Sequence, residues 1–403
     1  MEVVLIEWLL PGGRAGGRAQ DGSVIDLDRG VPGDRVAWRE TRRRGRAIEG
    51  VVEQIVTPSP SRQDPSCPWS ERCGGCDLAE LEGGARREAL GRVVQRAFGA
   101  DTAPVVVPSP RAIGHRARIK LAIDAGDLGY REARSHTLVP VDVCGIARPE
   151  VEAAIARLRG LLPADTRGLQ SVEVRSDGTR VVASFTSLTP FTAAGAVPEA
   201  TRTAIAAFGD VALDGRALAG DPRLRIPVLG LALRCSPLSF YQVNLECNAL
   251  LVQMVVDAVA GSERVLDLYS GIGNISLPVA ASGIPVTAVE MEGQATADLE
   301  ANAKEHRLPI QVTTGRVEKF DPRRVAFDAV ILDPPRTGAP GVLENVLANR
   351  PRTIVYVACN PVTGARDVRP ALAAGYKLTA LRCFDLFPDT HHVETVAVLE
   401  RKR

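Results

Sequence analysis

At 403 residues the chain exceeds what one hydrophobic core of roughly 250–300 residues holds, and 45% apolar with 24% charged residues fits a soluble globular protein of two or three domains. A formal net charge of +1 excludes a uniformly basic or acidic polyelectrolyte, and no run approaches the roughly 18 apolar residues of a membrane span. The N-terminus carries no basic stretch followed by an apolar one, so the expected location is the cytoplasm.

A balanced total can still hide a basic face. Five arginines occupy the eight positions from Arg39 to Arg46, and ten Arg or Lys face five Asp or Glu between Gly83 and Arg134. Two readings stand: a phosphate-binding surface, or the solvated exterior of a chain that uses 44 Arg and five Lys.

In chain order, Val3–Trp8 and 22–27 read as short strands separated by the glycine-rich 11–17, and Val31-Pro32-Gly33-Asp34 is a turn. Arg35–Trp38 and Ile48–Ile55 again favour strand, and Pro58-Ser59-Pro60 closes the set. Four or five short strands in about sixty residues predict a small OB-like β-barrel, a fold that often binds nucleic acid. Through G-G-R-A, D-G-S-V-I and V-P-G-D-R-V it resembles the TRAM domain, an RNA-binding module.

Cys67, Cys73 and Cys76 follow as C-x5-C-x2-C, with Cys144 much later. Three thiols in ten residues of a chain expected in the reducing cytoplasm point to metal rather than disulfides. Structural zinc usually draws its ligands as two close pairs, whereas three clustered cysteines and one distant suit an iron–sulfur cluster; unmetallated thiols are the third option. The spacing differs from the C-x3-C-x2-C of radical enzymes and does not fix the number of irons.

Arg86–Phe98 reads as a basic helix, Arg116–Asp124 with Leu128–Tyr130 as a strand pair, Pro149–Leu162 as a helix, and Val172–Ser187 as a hairpin turning at Asp177-Gly178. Ala193–Ala219 shows only loops and one helix, and an apolar helix ends near Ala260. From Arg264 strand and helix alternate. R-V-L-D-L-Y-S-G-I-G-N-I-S is a strand, a glycine turn and a helix start, and V-T-A-V-E-M is a strand ending at Glu290. Gly271 and Gly273 permit close backbone approach to a ligand, and an acid ending the second strand suits ribose hydroxyls. Ser276 stands where a dinucleotide site has its third glycine, so a nucleoside cofactor such as S-adenosylmethionine fits better. Two further apolar runs end in Asp333-Pro334-Pro335 and in Cys359-Asn360-Pro361, placing a carboxylate and a thiol where parallel sheets bind ligands.

Taken together, F-Y-Q-V-N at 240–244, D-L-Y-S-G-I-G-N at 267–274, L-D-P-P-R-T-G at 332–338, A-C-N-P-V-T-G-A-R-D at 358–367 and D-L-F-P-D-T-H-H-V-E at 385–394 resemble the RNA 5-methyluridine methyltransferases. With the four cysteines and the barrel, the resemblance is to the iron–sulfur branch that acts on 23S ribosomal RNA. Ser270 and Ala358 stand where cysteine and serine are common in that family, without a known chemical role. The resemblance implies three domains: a TRAM/OB-like RNA-binding barrel at 1–58, a central α+β iron–sulfur and RNA-binding domain at 59–235, and a C-terminal Rossmann-like class I methyltransferase domain at 236–403. The whole is a multidomain α/β protein, expected to be a monomer with no membrane partner.

The chemistry explains the residue types. Carbon 5 of uracil is a weak nucleophile; a thiolate adding to carbon 6 makes an enolate that raises electron density at carbon 5. After methyl transfer a base must remove the carbon 5 proton so that the thiolate can leave. By resemblance Cys359 is the nucleophile and Glu394 the base. Gln242, Tyr269, Asn274, Glu290 and Asp333 surround S-adenosylmethionine, while Phe240, Gln242 and Asp333 contact the uracil. Tyr241 joins Phe240 as a candidate for stacking on an extruded base, and Arg316 as a further cofactor contact. Cys67, Cys73, Cys76 and Cys144 hold the cluster, expected as 4Fe-4S. Its distance along the chain from the catalytic motifs suggests a structural role.

Three rivals are weighed. An adenine N-methyltransferase places an aromatic residue after its D-P-P, where Arg336 stands. The transfer RNA branch differs in substrate only. A noncatalytic RNA-binding iron–sulfur protein would not need the Cys359 and Glu394 motifs.

Overall fold

The computed structural model describes residues 2–133, 135–189 and 197–401. Five strands, β1 (Glu2–Leu9), β2 (Ala15–Arg18), β3 (Val24–Leu27), β4 (Arg35–Arg44) and β5 (Ala47–Thr57), close a barrel in the order β1-β2-β3-β5-β4. Alternation along β1 and β4 buries Val4, Ile6, Val36 and Trp38 inside it. Beyond Trp38 every residue of β4 is exposed, so the arginines from Arg39 to Arg44 lie on the surface. Strand β2 falls in the glycine-rich stretch expected as a loop. A Cβ on Gly16 would collide with the Trp8 ring and one on Gly17 with the Leu5 carbonyl, so these glycines serve close strand packing.

Helix α1 (Gly83–Phe98) is capped by Glu82, whose carboxylate accepts from the Gly84 and Ala85 amides, and it ends at Gly99 in the left-handed conformation. Strand β6 (Val106–Val107) follows. The middle of the chain is a sheet of β7 (Arg118–Asp124), β8 (Asp127–Arg131), β9 (Leu138–Val139), β10 (Leu169–Ser176), β11 (Val181–Ser187), β12 (Val211–Leu213) and β13 (Arg216–Ala219), ordered β13-β12-β11-β10-β7-β8-β9. Helices α2 (Pro149–Leu161) and α3 (Glu199–Ala206) pack on it. The described part of 193–219 thus carries two short strands besides the expected helix; residues 193–196, like Arg134, lie outside the described residues. A hairpin, β14 (Leu224–Val228) and β15 (Leu231–Cys235), leads to α4 (Leu245–Ala258).

The C-terminal part is doubly wound: β16 (Val265–Leu268), α5 (Ser276–Ala281), β17 (Val286–Glu290), α6 (Gly293–Glu305), β18 (Ile310–Thr314), β19 (Ala329–Leu332), α7 (Val342–Leu347), β20 (Thr353–Ala358), α8 (Pro361–Ala373), β21 (Tyr376–Phe384) and β22 (Glu394–Arg401). Strand order is β18-β17-β16-β19-β20-β22-β21-β6. Every residue of β16, β19 and β20 is buried, as expected of parallel strands covered on both faces. The order reverses between β16 and β19, and there the crevice at the carboxyl ends opens. The closing pair β21 and β22 does not form the sheet's edge. Instead β6 pairs outside it in parallel, through Cys383 with Val106 and Phe384 with Val107.

One core ties the parts together. Leu9 and Val31 of the barrel, Leu78 and Leu81 of the cysteine segment, Leu90, Val93 and Val94 of α1, Val106, Cys383 and Val393 form one buried cluster. Burying each large aliphatic side chain contributes about 1.5–3 kcal/mol, enough to hold α1 between the barrel and the last sheet strands.

Candidate active site

Four strand ends supply one crevice. Tyr269 follows β16, Glu290 ends β17, Asp333 follows β19 and Cys359 follows β20. Strand β22 runs antiparallel to β20, with Thr395 opposite Ala358, so its first residue, Glu394, stands beside Cys359. The turn into α8 is fixed locally: Asn360 caps the helix by accepting from the Val362 amide, and Pro361 begins it. Tyr269 itself adopts the left-handed conformation at φ 65°, rare for a bulky residue and typical of functional turns.

The electrostatics are those of buried ionisable groups. Glu394 is 3% exposed, and burial with the nearby Asp333 charge pushes its carboxyl up to about 8, against the pull of Arg336. Burial alone raises Asp333 to about 6. The Cys359 thiol is pushed up to about 12, first by burial, then by Glu394 and Asp333, while Arg336 lowers it. Neither carboxyl accepts a hydrogen bond from a described residue, which leaves both free for a ligand. A cavity of about 410 Å³ runs from Cys359, Asn360 and Arg336 past His391 and His392 to the barrel loop 9–13. Burial holds His392 down to about 4, so at neutral pH its ring is uncharged.

A family model for tRNA (Uracil-5-)-methyltransferase matches residues 223–402. The chain is 31% identical over 406 residues to the 23S rRNA (uracil(1939)-C(5))-methyltransferase RlmD of Pectobacterium atrosepticum, covering 94% of this chain and 89% of that one. The chain belongs to the RNA uracil-C5 methyltransferase family. The RlmD of Dichelobacter nodosus is 32% identical over 406 residues, with 94% of each chain covered. Among solved structures, the Pyrococcus abyssi tRNA (uracil-54, C5)-methyltransferase in complex with S-adenosyl-L-homocysteine aligns with a TM-score of 0.79 at 26% identity, over 99% of this chain and 100% of that one.

Within this uracil-C5 methyltransferase the remaining residues singled out in the sequence divide into two groups. Phe240 is 58% exposed, with the Arg118 guanidinium 4.6 Å from its ring centre. Gln242 lies two residues on, with its side-chain amide unpaired among the described residues. Tyr241 is not available for stacking: it is buried, and its hydroxyl donates to the Ala117 and Ser176 carbonyls. Glu290 already accepts from the amides of Gly271, Met291 and Glu292, and so shapes the glycine turn. The Asn274 amide is paired reciprocally with Asn248 at 2.8 and 3.0 Å. Tyr269 donates to Glu318, and Arg316 pairs with the same carboxylate at 3.6 Å. Sequence reasoning missed Asp267, buried within β16 one residue before its end, raised to about 7 by burial and left with one unpartnered oxygen. It also passed over Arg336 as a charge acting on Cys359 and Glu394.

The fold gathers all four predicted metal cysteines. Cys67, Cys73, Cys76 and Cys144 line one cavity of about 180 Å³ together with Tyr130, Arg116 and Asp389. Tyr130 donates to the Cys144 sulfur at 3.3 Å, and burial pushes Cys76 up to about 12. Among the described residues no group of three or more His, Cys, Asp or Glu is arranged to hold a metal ion. The chamber is not remote from the crevice, since Asp389 in its wall precedes Glu394 by five residues.

Among the described residues no helix is long and apolar enough to cross a membrane.

Proposed function

We propose that the protein methylates carbon 5 of a uridine in 23S ribosomal RNA, with S-adenosylmethionine as donor. The observation that carries this reading is the meeting of Cys359, Glu394 and Asp333 in one crevice, two of them buried carboxyls without protein partners among the described residues. Ribosomal RNA is preferred over transfer RNA because the RlmD relatives are 31–32% identical over nearly the whole chain, against 26% for the solved transfer RNA enzyme.

The donor presents a methyl group on a sulfonium cation. Tyr269, Asn274, Glu290, Asp333 and Gln242 line its place at the strand ends. Phe240 stacks on the extruded base, and Gln242 and Asp333 hold the ring edge. The Cys359 thiolate forms the bond to carbon 6, and the carbon 5–carbon 6 pair moves into the enolate; carbon 5 then bonds the methyl as the methyl–sulfur bond breaks, its electron pair leaving on the thioether sulfur of S-adenosylhomocysteine. Glu394, as carboxylate, then accepts the carbon 5 proton; the released pair re-forms the double bond and expels the thiolate. Bringing Cys359 and Glu394 to these states at neutral pH requires positive charge. Arg336 supplies part of it, and the sulfonium, bound beside Asp333, supplies more.

The barrel is read as a TRAM-like RNA-binding module, with Arg39, Arg42, Arg43 and Arg44 along an exposed strand. The four-cysteine chamber suits an iron–sulfur cluster of the 4Fe-4S type. Its donors are soft thiolates, and a multi-iron core spreads its ligands more widely than a single ion does. The 1–58, 59–235 and 236–403 divisions are functional units in this reading, although α1 and β6 of the second pack on the sheet of the third.

The test incubates the purified protein with methyl-labelled S-adenosylmethionine and unmodified RNA, separates ribosomal from transfer RNA, and identifies the labelled nucleoside. Label in 5-methyluridine of the large ribosomal RNA is expected; the same nucleoside from transfer RNA would overturn the substrate and leave the chemistry. Cys359→Ala is expected to abolish labelling while S-adenosylhomocysteine still binds.

A further inference from the structure

Glu394 begins β22, and the nine residues before it form a loop that makes its own turn, with Thr390 donating to the Phe387 carbonyl, and is further tied to other segments. The loop is held from outside, chiefly by the stretch between the cysteines and α1. Arg86, 3% exposed on α1, donates to Asp385 at 2.8 Å and to Asp389 at 2.5 Å, so one guanidinium bridges both ends of the turn. The Leu78 amide donates to the Asp389 carbonyl at 2.9 Å. Asp77, next to Cys76, accepts from the His391 amide and pairs with its ring. Asp389 takes the left-handed conformation at φ 65°, which a non-glycine residue keeps only where its surroundings fix it.

We propose that Arg86 is a positioning residue for Glu394: it clamps the 385–393 loop onto the cysteine segment and so sets where the base stands. The proposal rests on the assignment of Glu394 as base. The planar fork suits the task, since two separated carboxylates are bridged only by a group with several donors in fixed directions. Because Asp389 also lines the four-cysteine chamber, whatever fills that chamber bears on the same loop. Cys359 is held differently, by β20 and the cap of α8. Loosening the loop therefore separates the two chemical steps: carbon 6 attack and methyl transfer persist, and proton removal slows.

The experiment uses Arg86→Lys, which keeps a buried positive charge but reaches one carboxylate at a time, in full-length protein as isolated. Expected are S-adenosylhomocysteine binding within about twofold of wild type and normal formation of a methylated, denaturation-resistant protein–RNA adduct. Product release is expected to be slower by about 100-fold, the usual consequence of a misplaced catalytic group. Hydrogen exchange at 385–393 rises while β20 keeps its protection. Wild-type release, or an unchanged loop, overturns the proposal; so does loss of adduct formation with cofactor binding intact, which would place the defect at Cys359. Should Arg86→Lys fail to fold, Asp389→Asn takes the charge from one arm of the bridge and weakens it, and is read by the same criteria. Glu394→Gln is run beside them: if it accumulates no adduct, the base assignment has failed rather than the clamp.

Discussion

Glu394→Gln should make the protein more stable as well as inactive, and the stability difference should depend on pH in a defined way. The carboxyl has an ordinary value of 4.5 and is held up to about 8 in the folded chain, by burial and by Asp333. Above pH 4.5 the unfolded chain gives up this proton while the folded chain keeps it, so folding costs more as pH rises. At about 1.4 kcal/mol per pH unit the penalty reaches about 3 kcal/mol at pH 7 and levels off near pH 8. Glutamine has the same shape and no proton to lose, so the variant escapes the penalty. Urea unfolding of both proteins from pH 4.5 to 8.5 measures this. The variant's advantage should be near zero at the acid end and grow to about 3 kcal/mol at neutrality, a rise of more than 10 °C in melting temperature being too much for a chain of this size. A difference that does not change with pH, or a wild type that gains on the variant as pH rises, would refute the buried, unpartnered carboxyl. The same variant should accumulate a methylated RNA adduct that survives a denaturing gel, because the carbon 5 proton then has no acceptor.

Other outcomes follow from the same crevice. With its thiol held up to about 12, Cys359 should react with iodoacetamide at pH 8 roughly a thousandfold more slowly than an ordinary cysteine. S-adenosylmethionine should speed that reaction and neutral S-adenosylhomocysteine should not, with the modified peptide identified by mass spectrometry; equal rates would remove the sulfonium from the account. Arg336→Gln takes away the cation that favours the charged forms of Cys359 and Glu394, so both rise further and the acid limb of the pH–rate profile moves to higher pH, with about tenfold lower activity at neutrality. An unmoved limb would mean that Arg336 acts only on RNA. Cys144→Ser should lower the iron content and visible absorption of the isolated protein; a full complement of iron would exclude Cys144 as a ligand.

What the sequence made legible is what local chemistry encodes. Parallel strands buried on both faces read as unbroken apolar runs, and β16, β19 and β20 are such runs, each ending at a polar residue that marks the crevice. Helix α8 announces itself through Asn360 and Pro361. Strand β2 was hidden because Gly16 and Gly17, which read as loop, are there to admit Trp8 and the Leu5 carbonyl. Tyr241 was misjudged because adjacent residues point to opposite sides: Phe240 faces out, and its neighbour spends its hydroxyl on Ala117 and Ser176. In each case the deciding neighbour lies elsewhere in the chain.

The cysteines, too, are placed by contacts far along the chain. Along the chain they lie far from the catalytic motifs, which suggests a structural role. In the folded chain β6, only two residues long, pairs with β21 and brings the segment before it against the last strands of the methyltransferase sheet. Leu78, Leu81, Val93 and Val393 then share a core, so the cysteine segment and the residue preceding Glu394 are packed as one body. A contact order of about 300 residues, as between Arg86 and Asp389, leaves no trace in periodicity or motif spacing. The physical consequence is that the cysteine chamber and Glu394 belong to one packed body: a change that loosens one wall of the chamber at Asp389 bears on the loop whose next strand begins with Glu394.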